Sequence, residues 1–241
     1  MATTVVSHHV TPFRKGVQAG LAIAIGYIPI AITFGLLAKS VGLTATETVM
    51  MSLFVFAGAA QYMSLNMLAL GLGTFEIVLT TFILNIRHFL MSTTLNEKVE
   101  EDSLWKKALY SFGITDETFS VAATKEGTIQ TGYMFGVITV SFSSWVISSG
   151  VGHVIGSGLP STLQESMSIA LYAMFVGLLV PSLKKHRKIV VLAGTAAVLN
   201  TFFLHIVQLQ QGWAIICATI ISAVGVEFLF QRFQKGAIAN E

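Results

Sequence analysis

Charge is what this chain has least of. Lysine, arginine, aspartate and glutamate make up 11% of its 241 residues, against about 25% in ordinary soluble domains. A soluble chain of this length needs far more polar surface to cover itself. Cysteine is nearly absent as well. The single Cys217 excludes an internal disulfide, and its apolar surroundings mark it as a small core residue rather than a redox centre. A net charge of +2 leaves no electrostatic footprint for nucleic acid. No G-x-x-x-x-G-K-[ST] phosphate loop, no H-E-x-x-H and no G-x-S-x-G occurs. No Cys/His cluster suits a metal. The sequence therefore gives no support to ATP hydrolysis or to an intramembrane hydrolase, and no cofactor is expected.

What the chain has in abundance is apolar length. Hydrophobic residues are 54% of the sequence, and the mean hydropathy is +0.74. A bilayer core needs roughly 20 apolar residues of helix. Charge-free runs of that order predict seven spans: Gly16–Ala38, Thr48–Leu72, Thr74–Leu95, Gly132–Val151, Met167–Leu183, Ile189–Ile206 and Trp213–Phe230. The fold class is an all-α integral membrane protein, a polytopic bundle of seven helices. Residues 1–15 and 233–241 are read as cytoplasmic tails, and residues 16–232 as the transmembrane domain. The first span is long for a signal-peptide core and reads as a retained anchor.

The stretch 103–127 fits none of these spans. It is half apolar, with Asp116 and Glu117 at its centre, and reads as a broken span, a re-entrant segment or an interfacial helix. The positive-inside rule bears on it. The cluster KKHRK, Lys184–Lys188, marks the cytoplasm, and Arg232 and Lys235 agree two spans later. The fourth span must then start inside. If Arg14 and Lys15 are also inside, the crossings before it are even in number, and with the second and third spans counted as crossings the Asp116 segment must cross too. Small residues recur at spacing four: Gly16, Gly20 and Ala24; Ser144, Ser148, Gly152 and Gly156; Ala214, Ala218 and Ser222. Such stripes let helix backbones approach closely in lipid. No internal repeat is visible.

Four polar features stand inside this apolar frame. Arg87 lies mid-span in TTFILNIRHFLMSTT, with about ten apolar residues on each side. An arginine at the bilayer centre costs at least about 2.5–3.5 kcal/mol on insertion scales. The bland reading is a structural ion pair; the functional reading is a ligand site whose partner is Asp116 or Glu117. Asn85 and His88 are three apart and share a helix face, while Arg87 points elsewhere. In AIGYIPIAITFG, Gly26 and Pro29 flank Tyr27. Proline removes a helix hydrogen bond, so this span is expected to break there and expose amides beside a site. The alternative is a simple kink. Gln61, in FVFAGAAQYMS, is either a substrate contact or an interhelical hydrogen bond.

GYIPIAITFGLLA, FAGAAQY, LNIRHFL and ITDETFS, in this order, resemble the signature stretches of the AzlC family. The resemblance runs from about Phe13 to His205 and is strongest up to Ser120. It implies a large subunit of a bacterial branched-chain amino acid exporter in the inner membrane. Leucine, isoleucine, valine and sometimes methionine would be its substrates, and a small AzlD-type membrane subunit its partner. It carries no residue-level assignment. The site roles come from chemistry. An aliphatic zwitterion requires a cation or N–H groups for its carboxylate, an acceptor for its ammonium and an apolar pocket. Arg87 can bind carboxylate bidentately. Asn85, Gln61, Gly26, Tyr27 and Pro29 are further candidate contacts. Asp116 or Glu117 can take the ammonium. His88, Asp116 and Glu117 are the candidate proton carriers. The competing readings are a non-transporting assembly subunit and an intramembrane enzyme.

Overall fold

The computed structural model describes residues 11–156 and 187–238, together with Thr162, Val176, Leu179, Val180, Leu183 and Lys184; the side chains of residue 211 and of residues 233–238 are excepted. The expected span Met167–Leu183 and the middle of KKHRK lie outside the described residues. The described residues are helical: α1 (Pro12–Ser40), α2 (Ala45–Phe54), α3 (Gly58–Ala69), α4 (Thr74–Asn96), α5 (Leu104–Phe112), α6 (Asp116–Ala123), α7 (Thr131–Ile155), α8 (Arg187–His205) and α9 (Gln211–Ile238). Five of them, α1, α4, α7, α8 and α9, are long and apolar enough to cross a membrane. The chain is a multi-pass helical membrane protein. It forms two compact units, residues 11–65 with 84–156 and residues 66–83 with 187–238.

The first unit is built on α1 and α7. Thr11 caps α1, with Pro12 in its first turn where a missing N–H is harmless. The two helices lie side by side and run the same way. Gly16 meets Tyr133 at one end and Gly35 meets Ser149 and Gly152 at the other. The contact is backbone on backbone. A methyl added at Gly136 would stand 2.1 Å from the Phe13 carbonyl oxygen, and one at Gly152 would stand 2.1 Å from that of Ile32. Ser144 also donates to the Ala24 carbonyl at 2.6 Å. Two of the three small-residue stripes thus pack on each other. With no hydrophobic force between helices in lipid, this closeness is what gains van der Waals energy.

Two departures from the sequence reading follow. First, α1 does not break. It runs without interruption through Gly26 and Pro29. Proline removes only one donor, and both residues sit on an exposed face of the helix, where the kink-forming clash is the least constrained. Second, the expected span Thr48–Leu72 is not one crossing. It is two short helices, α2 and α3, separated at residues 55–57. Gln61 Nε2 donates to Ser52 Oγ at 3.2 Å. In a continuous helix, nine residues rise about 13 Å, beyond the reach of these side chains. The chain therefore folds back on itself at Phe56. Going along α2, Thr48 meets His153 and then Ser52 meets Ser149. Going along α3, Gly58 meets Trp145, and Tyr62 reaches the Ile30 carbonyl at 2.6 Å. The hairpin enters from the C-terminal end of α7 and leaves toward it.

The stretch 103–127 is the counterpart at the other end. It too is two short helices, α5 and α6, parted at Gly113–Thr115. Its flanks are pinned together: Val99 bridges Ile129, and the backbone bonds Glu100 N to Ile129 O and Ile129 N to Lys98 O are both 2.9 Å. Lys98 donates to the Ala123 carbonyl, and Thr131 N to Glu100. Entry and exit share one end, so this segment folds back on itself, as the re-entrant alternative expects, instead of running through as one helix. Before α7, the helices long and apolar enough to cross are therefore α1 and α4.

A repeat invisible in the sequence appears here. Long helix and then hairpin occurs twice, as α1 with α2–α3 and as α4 with α5–α6. The part of α4 in this unit runs from Arg87, at the tip of the second hairpin, toward Val99, at the Ile129 end. That is opposite to α1, so the two halves are inverted.

In the second unit α8 and α9 are antiparallel. A turn with Gln208 at φ 57° joins them, and Lys188 pairs with Glu227 across them at 2.5 Å. Trp213 lies 6.5 Å from Phe75, ring to ring. Ala214, Ala218 and Ser222 are buried. This third stripe is thus packed within the chain.

Candidate functional site

The tips of the two hairpins reach the middle of α1 and α7 from opposite ends and meet on a group of rings. Phe56, at the first tip, lies 5.1 Å from Phe142, and Phe112, beside the second tip, lies 6.0 Å from the same ring. Tyr27 touches Phe56 at 6.2 Å and Trp145 at 5.2 Å, both edge to face. Aromatic pairs of this geometry are worth about 0.5–1.5 kcal/mol beyond their buried area.

The second tip carries the charge. Thr115 caps α6 and forms a reciprocal box with Thr118. Asp116 and Glu117 follow in the first turn, where the helix dipole favours anions. Arg87 Nη1 lies 2.9 Å from Asp116 Oδ2. Arginine and carboxylate, far apart in sequence, are thus paired in the structure. Tyr27 donates to Glu117 Oε2 at 2.6 Å, and its hydroxyl lies 2.8 Å from Thr115 Oγ1. Arg87 is not saturated by its partner. Its Nε is buried with no hydrogen-bond partner, and so is Asn85 Oδ1. A buried polar atom left unpaired costs about 1–3 kcal/mol, and each such atom requires an explanation.

The first tip is polar but neutral. Trp145 Nε1 donates to Gln61 Oε1 at 2.9 Å, Gln61 Nε2 to Ser52, and Ser52 to Ser149 at 2.9 Å. Thr48 meets His153 Nδ1 at 2.9 Å. Gln61 is fully buried, and both ends of its amide are engaged. No acidic residue stands in the first turn of α3.

The structure therefore gathers Tyr27, Arg87, Asp116 and Glu117 at one place. Asn85 and His88 stand beside Arg87 on α4. Gln61 is set apart within the first hairpin, and Gly26 and Pro29 face away from Tyr27. The sequence reading did not single out Thr115, Trp145, Ser52, Ser149 or His153. Thr115 had a local signal, because threonine just before a helix is a favoured N-cap. The others are common residues inside apolar runs and signal nothing until the hairpin brings them together.

The family model described as AzlC protein matches residues 22–159, from mid-α1 to the end of α7 and so across both hairpins. The chain is 30% identical over 233 residues to the inner membrane protein YgaZ of Escherichia coli (strain K12), covering 93% of each. It is 31% identical over 188 residues to an uncharacterized membrane protein of Archaeoglobus fulgidus, covering 77% of this chain and 83% of the other. It is 26% identical over 180 residues to the branched-chain amino acid transport protein AzlC of Bacillus subtilis (strain 168), covering 73% and 70%. No solved structure matches. With the family model spanning more than half the chain and one relative aligned over nearly its whole length, the chain belongs to the AzlC family.

Proposed function

We propose that this chain is a secondary transporter that exports branched-chain amino acids across the bacterial inner membrane, working with a small AzlD-type subunit. The observation that carries the reading is the half-satisfied Arg87. One nitrogen is held by Asp116 at 2.9 Å, while Nε is buried and unpaired. A substrate carboxylate supplies what Nε lacks, with the strength of a charge-assisted bond. Asp116 and Glu117, side by side on α6, offer oxygens to the substrate ammonium. Phe56, Phe112 and Phe142 give an aliphatic tail an apolar neighbourhood. His88, Asp116 and Glu117 serve as proton carriers, since no phosphate-loop motif offers ATP as an energy source. Further support comes from the named transport activity of the Bacillus subtilis relative and the inner-membrane name of the Escherichia coli one.

The reading includes an orientation. Arg14, Lys15, Lys98, Lys106, Lys107 and Lys125 lie at the end of the first unit where α1 and α7 begin, and Lys39 lies at the other. The positive-inside rule puts the first end, with residues 1–15, in the cytoplasm; Arg232 and Lys235 argue on their own for a cytoplasmic 233–241. The second hairpin then opens from the cytoplasm and the first from outside.

Efflux of labelled leucine from proteoliposomes, with and without the small subunit, tests the function. Saturable efflux that needs the small subunit is expected. Full-rate efflux by this chain alone removes the two-subunit part, and no efflux in either case removes the transport reading.

A further inference from the structure

We propose that the Tyr27 hydroxyl is a latch: it holds the tip of the α5–α6 hairpin closed against α1, and it lets go when Glu117 takes up a proton or a substrate ammonium. Only the second trigger rests on the amino acid reading above. Tyr27 is a positioning residue here, acting through Glu117.

The geometry points to this in three ways. Tyr27 is buried, and its ring is fixed edge-on between Phe56 and Trp145, so the direction of its hydroxyl is set by the scaffold. That hydroxyl engages the two residues on which α6 starts. Thr115 Oγ1, at 2.8 Å, also accepts from Thr118 N, and Glu117 Oε2, at 2.6 Å, stands in the first turn. Moving the hairpin tip away from α1 must break both contacts. Finally, the tip's other contacts are the Arg87–Asp116 pair with α4 and apolar packing, such as Phe112 on Phe142 and the buried Ile114; among the described residues, the side-chain hydrogen bonds between α1 and the tip are those of Tyr27. The first hairpin, by contrast, is fastened to α7 at successive levels by bonds between uncharged side chains.

The bond to Glu117 is the switchable one. A hydroxyl donating to a carboxylate makes a charge-assisted bond, roughly twice as strong as a neutral one. A proton on Glu117 removes that excess, and an ammonium at the same oxygens competes for it. The groups that face Glu117 are Asp116 beside it on α6, Arg87 and His88 on α4 and Tyr27 on α1. α7, which also packs on α6, presents Tyr133 beneath Lys125 at the far end of that helix.

The test uses the full chain in proteoliposomes, with Cys217→Ala as background and Ile114→Cys as reporter at the buried tip. Ser111→Cys on α5 is a second reporter should the first misfold. A membrane-impermeant maleimide is applied from the side of residues 98–130. Rates are normalised to the unfolded chain at the same pH. Labelling of the parent is expected to be slow at mildly alkaline pH and faster at mildly acidic pH. Tyr27→Phe keeps the ring and removes the hydroxyl. It should label on the order of tenfold faster, the factor that about 1.4 kcal/mol of lost latch corresponds to, and it should no longer respond to pH. Glu117→Gln should behave in the same way. Leucine should speed labelling of the parent and leave Tyr27→Phe unchanged. If Tyr27→Phe matches the parent in rate and pH profile, the latch is wrong. If the pH responses are as expected and leucine has no effect, the proton latch stands and its substrate trigger is overturned.

Discussion

The two hairpins share a shape and differ in chemistry. Both are short helix, break, short helix; both end on the ring of Phe142; each is fed by a long helix running opposite to the other's. Yet the first, α2–α3, is held by Gln61, Trp145, Ser52, Ser149, Thr48 and His153, with no charged side chain in those bonds. The second, α5–α6, is held by Arg87–Asp116 and Tyr27–Glu117. Neutral bonds buried in a low-dielectric interior have no easy competitor, since no solute offers the same shape of donors and acceptors. Ion pairs and carboxylate bonds do have competitors, namely protons and any zwitterion. On the reading proposed above, the first hairpin is scaffold and the second the responsive element. Inverted repeats let one chain present the same half-buried loop to both faces of a membrane. Here the two copies have been given unequal fastenings.

That contrast can be broken at several points. The largest effect is expected at Arg87. Arg87→Ala strands Asp116 and removes the unpaired Nε donor. Truncating one partner of a buried charge pair costs about 2–5 kcal/mol, and with the Arg87 side chain 43% exposed the low end of that range applies. Leucine efflux should fall by roughly 30-fold or more, while the protein still inserts. Arg87→Lys keeps a cation for Asp116 and lacks the second donor, so it should transport little better than Arg87→Ala. Normal efflux by Arg87→Lys would place the carboxylate elsewhere.

Gln61→Ala should act on the other side of the contrast. It leaves Trp145 Nε1 without its acceptor and Ser52 without one of its donors. A loss of about 1–3 kcal/mol is expected, read as a lower melting temperature in detergent, with the KM for leucine unchanged. A raised KM at unchanged melting temperature would return Gln61 to the list of substrate contacts. Thr48→Val comes next. It frees His153 Nδ1 at the mouth of the first hairpin, where a net hydrogen bond is worth about 0.5–1.5 kcal/mol. Melting should shift slightly, and the pH dependence of efflux should not. A change in that pH profile would make His153 part of the proton path. The smallest effect is expected at Pro29→Ala. α1 passes through this exposed position unbroken, and stability should move by no more than about 0.5 kcal/mol.

How much of this was legible in the sequence depends on the kind of feature. Length and hydropathy located α1, α4, α7 and α8 within about four residues at each end, and α9 apart from its last eight residues, because a bilayer imposes them. The charge of Arg87 marked the site for the same reason: lipid makes an unpaired cation conspicuous. The hairpins were not legible. Thr48–Leu72 has the length and apolarity of a crossing, and nothing local distinguishes two antiparallel half-helices from one whole helix. The fold-back is written in tertiary contacts such as Gln61 to Ser52. Pro29 misled in the opposite sense. Proline is the strongest local signal of a break, but in an exposed, long helix in lipid the loss of one donor is tolerated, while the true break at Phe56 contains no proline. Asp116 and Glu117 could be matched to Arg87 by charge alone, but Tyr27 gained its meaning only from the structure.

The division between a responsive and a scaffolding hairpin is tested most directly by equilibrium binding of labelled leucine to three purified forms: the parent, Arg87→Ala and Gln61→Ala. The expected result is that Arg87→Ala loses saturable binding while Gln61→Ala, though less stable, binds leucine with the parent's affinity. Loss of binding in Gln61→Ala with full binding in Arg87→Ala would contradict it.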